Sequence, residues 1–153
     1  MVESRKTVLV VDDDRAVLVL SEIFLSRNGY TVLTATNYQS AIEQLKENAE
    51  NLDLLVTDTT YELVDGGPKV QDSGVRLSAH VHEKFPEMFP VIGMSAADEV
   101  QMRALYDKGG HIEEYIGKPF KSGADFVQIC NDTIANHYNK QTQPLNLEEL
   151  TKN

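Results

Sequence analysis

Apolar residues along this chain come in five short runs, separated by segments with a helical period. The runs are TVLVV (7–11), YTVLTA (30–35), DLLVTD (53–58), PVIGMS (90–95) and EEYIGK (113–118). Each is too short for a helix, and the first three are rich in Val, Leu and Thr, as buried strands are. Between the runs, apolar residues recur every three or four positions, the spacing of an amphipathic helix. In the first such segment Ala16, Leu20, Ile23 and Phe24 are predicted to share the buried face, with Gly29 at C′. The second opens at Thr36-Asn37-Tyr38-Gln39 as a capping box and sets Ala41, Ile42, Leu45 and Ala49 on one stripe. Val75, Ala79 and His82 start a third helix, Val100, Ala104 and Leu105 mark a fourth, and Phe126, Ile129, Cys130 and Ile134 a fifth.

Strand and helix thus alternate five times, which predicts an α/β fold with a parallel sheet covered by helices on both faces. Right-handed crossovers join its strands. After His137 the chain, NKQTQPLNLEELTKN, is polar and contains Pro144. It reads as a frayed end or linker stub, with one turn at NLEEL.

The polar residues that interrupt this pattern are distributed unevenly. Asp12, Asp13 and Asp14 stand together where the first strand ends, although like charges about 4 Å apart repel by roughly 4 kcal/mol at an effective dielectric of 20. Asp58 ends the third strand, Ser95 the fourth and Lys118 the fifth. Ligands of open parallel sheets bind beyond the carboxyl ends of the strands, so these residues are predicted to meet at one edge. Carboxylates in one cleft form an all-oxygen site for a hard divalent cation, Mg²⁺ being the natural choice, and the cation offsets their repulsion. A lysine and a hydroxyl facing it can hold the oxygens of a phosphoryl group, while one carboxylate acts as nucleophile. Asp14 precedes the first helix directly and is read as its N-cap, outside the site.

Composition narrows the class of protein. At 153 residues, 41 % hydrophobic and 25 % charged, the chain is expected to be one soluble globular domain. No run approaches the ~18 apolar residues of a membrane span, and MVESRKTV lacks the apolar core of a signal peptide. A cytoplasmic location is expected, with Cys130 a small buried hydrophobe rather than half of a redox or metal pair. The net charge of −10 argues against direct nucleic-acid binding, which needs clustered Lys and Arg. The four histidines carry no ligand spacing: His80 and His82 are two apart on a helix, and His111 and His137 lack partners. They are read as surface or edge residues.

Together VLVVDDD, DLLVTD, VIGMSA and YIGKPF, in this order and at these intervals, resemble the receiver domain of bacterial two-component response regulators. The resemblance covers residues 5–138 and leaves 139–153 as a polar tail. It implies a flavodoxin-like (βα)5 fold with strand order 2-1-3-4-5. It also implies that Asp12 and Asp13 bind Mg²⁺, that Asp58 accepts the phosphoryl group and ligates the metal, and that Thr60 ligates through its backbone carbonyl. Ser95 would reach a phosphoryl oxygen, and Lys118 would pair with the phosphoryl group, followed by Pro119, often in a cis bond in this family. Tyr115, three residues before the lysine, matches the aromatic switch position. The implied function is a phosphorylation-activated signalling switch rather than an enzyme, beyond its self-phosphorylation and self-dephosphorylation. Its phosphoryl donor would be a sensor histidine kinase or histidine phosphotransfer protein. With no effector domain in these residues, output is expected through a downstream protein or an effector domain elsewhere, by way of the fourth helix, fifth strand and fifth helix.

Two features depart from the family pattern. TTYELVDGGPKVQDS separates Asp58 from Gly74, with Tyr61-Glu62 where the family carries Met-Pro, so a lengthened loop (59–73) is expected beside the site. Gly109-Gly110-His111 replaces the usual Gly-Ala and predicts a freer turn. Two rival readings follow. A phosphohydrolase similar to the haloacid dehalogenase superfamily would use Asp12 as nucleophile in Asp12-x-Asp14. Against it, Arg15-Ala16 replaces Gly-Thr, and neither a late acidic pair nor a cap is evident. A pseudo-receiver would bind partners without taking phosphate, against which the intact Asp12, Asp13, Asp58, Ser95 and Lys118 set counts.

Overall fold

A computed structural model describes residues 5–142. The strands of the main sheet are β1 (Lys6–Val11), β2 (Tyr30–Ala35), β3 (Leu54–Asp58), β6 (Val91–Ser95) and β7 (Glu114–Gly117). All neighbours are parallel, in the order β2-β1-β3-β6-β7, which is the 2-1-3-4-5 arrangement once a small hairpin is set aside. That hairpin, β4 (Tyr61–Glu62) with β5 (Lys69–Val70), is antiparallel and lies within the expected long loop.

Alternate residues of the central strands feed two cores, as the period of two requires. Val8, Val10, Leu54, Val56, Ile92 and Met94 pack under helices α1 (Arg15–Ser26) and α5 (Gly123–Thr142). Leu9, Val11, Leu55 and Val91 pack under α2 (Tyr38–Asn48) and α3 (Ser73–Lys84). Full burial of such a side chain contributes roughly 1.5–3 kcal/mol. Cys130 lies in the first core, fully buried.

Several helix details differ from the periodicity reading. In α1 the buried residues are Leu18, Ser21 and Leu25, while Ala16, Leu20 and Ile23 face outward. This helix is apolar almost all round, so its pattern does not fix the phase; Ser21 turns inward because its hydroxyl bonds to the Val17 carbonyl. The capping box sits one residue later than predicted, between Asn37 and Ser40. In α3, His82 is exposed and Leu77, Ser78 and Val81 are buried. In α4 (Glu99–Tyr106), Met102 and Tyr106 point inward and Val100 is 80 % exposed. Gly29, at φ +89°, turns the chain from α1 into β2.

Gly110 contradicts the expectation of a freer turn. A Cβ there would stand 2.5 Å from Ser78 Oγ and 3.0 Å from the Tyr106 ring, so this glycine is needed for close packing. Helix α5 continues to Thr142, carrying regular structure four residues past the boundary drawn at 138. Pro144 and NLEEL lie outside the described residues.

Candidate functional site

Asp12, Asp58, Ser95 and Lys118 each stand at or just past a strand's carboxyl end, so the sheet ladder sets the distances between them. Asp12 follows β1 and is fully buried. Its Oδ1 accepts the Asp14 N–H at 2.9 Å, and its Oδ2 accepts from Lys118 Nζ at 2.9 Å. Asp58, the last residue of β3, is 8 % exposed. Its Oδ1 accepts the Thr59 N–H at 2.9 Å and lies 3.4 Å from Lys118 Nζ, whereas its Oδ2 accepts no hydrogen bond from the described residues. Asp13 completes the group: ligand oxygens of Asp12, Asp13 and Asp58 lie within 4.8 Å of one another. Asp14 stands apart and caps α1, accepting from the Ala16 N–H at 2.9 Å.

On the other flank, Ser95 is buried and its Oγ accepts the Ala97 N–H at 3.0 Å. The Tyr115 hydroxyl donates to the Ala97 carbonyl at 2.6 Å, tying the half-buried ring to the segment that follows Ser95. Lys118 reaches the acids from beyond β7, its N–H bonded to the Ser95 carbonyl at 2.9 Å, and the Lys118–Pro119 bond is cis. Thr60 is half-exposed; its hydroxyl donates to the Gln71 carbonyl, leaving the side chain occupied within the loop.

The electrostatics of the cluster call for more positive charge. Burial and then the Asp12 charge raise the Asp58 carboxyl to about 6, against the opposing pull of Lys118 and the Thr59 N–H. Burial likewise raises Asp12, despite its bonds to Asp14 and Lys118. Burial disfavours the ammonium of Lys118, yet its contacts with Asp12 and Asp58 leave its net shift upward. Three carboxylates against this largely buried ammonium and the exposed one of Lys69 on Asp13 remain undercompensated. An all-oxygen donor set of this charge and spacing fits a hard divalent cation.

Spacing along the chain did not reveal Lys69, whose Nζ lies 2.8 Å from Asp13 Oδ2. The available signal was that Lys69 is the one Lys or Arg between Asp58 and Arg76. Gly74, where the long loop ends and α3 begins, packs tightly against the site. A Cβ there would stand 2.0 Å from the Asp58 carbonyl oxygen, and its N–H bonds to the Thr59 carbonyl at 2.9 Å. The imidazoles of His82 and His111, 29 residues apart, have ring centroids separated by 5.6 Å, a proximity that helix periodicity could not show.

A doubly wound sheet with a carboxylate cluster and a facing lysine at its strand ends defines a flavodoxin-like domain built to handle a charged group. Residues 8–129 match the family model of the response regulator receiver domain, and the chain belongs to that family. It is 30 % identical over 115 residues to the alkaline phosphatase synthesis transcriptional regulatory protein PhoP of Bacillus subtilis (strain 168). That match covers 75 % of this chain but 43 % of PhoP, so the chain spans less than half of that relative's length. Among solved structures, a response regulator from Thermotoga maritima aligns with a TM-score of 0.68 at 26 % identity, covering 86 % of this chain and 98 % of the other. The signal receiver domain of an HD domain-containing protein from Pseudomonas fluorescens Pf-5 aligns with a TM-score of 0.75 over 94 % and 97 % of the two chains. At 19 % identity, that second likeness speaks for the fold alone.

Proposed function

We propose that this domain is a phosphorylation-activated signalling switch with Asp58 as its phosphoacceptor. The carrying observation is the different engagement of two buried carboxylates. Asp12 has both oxygens bonded and no exposed surface, whereas Asp58 retains Oδ2 without a hydrogen bond from the described residues. This difference favours Asp58 over Asp12, the nucleophile that the phosphohydrolase reading requires.

In the proposed step Asp58 Oδ2 attacks the phosphorus of a phosphohistidine on a sensor kinase or phosphotransfer protein. The O–P bond forms as the N–P bond breaks, and the imidazole leaves with the electron pair and takes a proton from solvent. Asp12, Asp13, Asp58 and the Thr60 carbonyl would hold Mg²⁺, which when bound supplies neutralisation of the charge on the transferring group. Lys118 pairs with a phosphoryl oxygen from its position between Asp12 and Asp58. Ser95 exchanges its bond to the Ala97 N–H for another phosphoryl oxygen. That movement reaches Tyr115 through the Ala97 carbonyl and biases the face of α4, β7 and α5 toward a downstream protein or effector domain. The product stays on the domain's own side chain, so turnover is limited to self-phosphorylation and self-dephosphorylation. A cytoplasmic setting suits such a domain.

The test is intact mass after incubation with acetyl phosphate and Mg²⁺, beside Asp58→Asn. The wild type is expected to gain one phosphoryl group, with no gain in the variant or without Mg²⁺. Unmodified wild type supports the pseudo-receiver; consumption of acetyl phosphate that stops in Asp12→Asn supports the phosphohydrolase.

A further inference from the structure

We infer that Lys69 is a built-in counter-ion of Asp13 that competes with the divalent cation for it. This rests on the reading of Asp12, Asp13 and Asp58 as the Mg²⁺ site. The juxtaposition is direct: the ammonium sits 2.8 Å from Asp13 Oδ2, and Asp13 is the most accessible of the three clustered acids.

The hairpin backbone that carries Lys69 is fastened at several points. Ser73 Oγ donates within reach of both the Tyr61 and Val70 carbonyls, and Thr60 Oγ1 donates to the Gln71 carbonyl. Tyr61 is fully buried, its hydroxyl 3.0 Å from Thr57 Oγ1, and the Gln39 N–H bonds to the Leu63 carbonyl at 2.9 Å. The part free to move is the Lys69 side chain, 63 % exposed. Asp13, Glu62, Asp65 and Lys69 line one cleft, so a displaced ammonium has other carboxylates at hand.

A dication among these acids and an ammonium on one of them repel each other, and the octahedral shell of Mg²⁺ tolerates little crowding. Metal entry therefore pushes Lys69 off Asp13 or is weakened by its presence. Because an exposed pair is weak and screened by salt, the competition is modest. Lys118 differs: it faces Asp12 and Asp58 and belongs to the proposed phosphoryl site.

The experiment is isothermal titration of Mg²⁺ into the unphosphorylated protein at low ionic strength. It compares wild type with Lys69→Ala, Lys69→Arg and the remote Lys140→Ala, each first checked for an unchanged circular-dichroism spectrum. Lys69→Ala is expected to bind Mg²⁺ about two- to fivefold tighter, with the difference shrinking at high salt. Lys69→Arg keeps the cation and stays near wild type. Lys140→Ala removes the same charge without the contact and also stays near wild type. Equal affinity in wild type and Lys69→Ala overturns the inference, as does an equal gain in Lys140→Ala. If the wild type binds no Mg²⁺, the metal site itself is refuted. If Asp13→Asn abolishes binding while Lys69→Ala changes nothing, the metal site stands and only the role of Lys69 falls.

Discussion

Lys118 and Lys69 meet neighbouring aspartates at nearly the same distance, 2.9 Å to Asp12 and 2.8 Å to Asp13. Their surroundings are opposite. The Lys118 side chain is 18 % exposed against a fully buried partner and stands at the end of a strand in the main sheet. Lys69 reaches out from a hairpin of two-residue strands, largely in solvent. In the buried pair, losing one partner strands a charge that water cannot reach. In the exposed pair, water replaces the partner. Equal distances therefore carry unequal energies: one pair holds the site together, and the other is suited to being exchanged.

The largest effect that tests this contrast is expected from Lys118→Ala. Two buried carboxylates lose their shared cation, costing about 3–5 kcal/mol at pH 7 in denaturant unfolding without metal. The loss shrinks toward pH 5, below the value of about 6 at which the Asp58 carboxyl is held. A cost no larger than that of Lys69→Ala would erase the distinction between the two pairs.

Gly74→Ala probes the joint between hairpin and site. Its Cβ falls 2.0 Å from the Asp58 carbonyl oxygen and 2.9 Å from Thr59 Cα, backbone atoms that cannot yield cheaply. Unfolding measurements are expected to show a loss of about 3 kcal/mol. The Mg²⁺ affinity is expected to fall with it, because Asp58 itself is displaced.

Asp58 also gives the buried region a pH signature. Its carboxyl is held at about 6, above the ~3.9 of an unfolded chain, so between these values the folded form keeps a proton that the unfolded form has released. This group's contribution therefore makes metal-free stability fall as pH rises from about 4 to about 6, by on the order of 2–3 kcal/mol, then level off. Asp58→Asn removes that slope and is more stable than wild type at pH 7. Saturating Mg²⁺ flattens it in the wild type. Parallel pH profiles for wild type and variant would contradict the buried-charge account.

The smallest effect belongs to Lys69→Ala, whose melting temperature is expected to match wild type at moderate salt. A clear loss of thermal stability would mean that the exposed pair holds the hairpin in place and is not free to exchange.

The same contrast separates what could be read from the chain before its structure. Continuous apolar strands report burial on both faces, and Asp12, Asp58 and Ser95 were legible because each ends or follows such a run, whereas Lys118, behind the mixed EEYIG, was legible from its place in YIGKPF. Asp14 was legible as a cap because its position before a helix has its own chemistry. The face of α1 was not, since Val19, Leu20 and Ile23 are apolar yet exposed, and periodicity cannot phase a helix without a polar side. Nor were β4 and β5. Strands of two residues have no period, and theirs form because buried Tyr61 and the Ser73 hydroxyl hold the loop in shape. The place of Lys69 depends on that tertiary arrangement.

The hydrogen bond from Gly74 N–H to the Thr59 carbonyl closes the long excursion after Asp58 at its base. Because the chain leaves and re-enters at this stitched base, and Tyr61-Glu62 pair with Lys69-Val70 above it, the hairpin tip can gain or lose residues without moving Asp58. Lengthening a closed loop is entropically inexpensive, roughly 0.6 kcal/mol per doubling. An added residue inside β3, by contrast, would turn every following side chain to the opposite face. This architecture therefore lets the hairpin tip vary in length beside the site, where new side chains can be brought over the acids while the strands beneath them stay fixed.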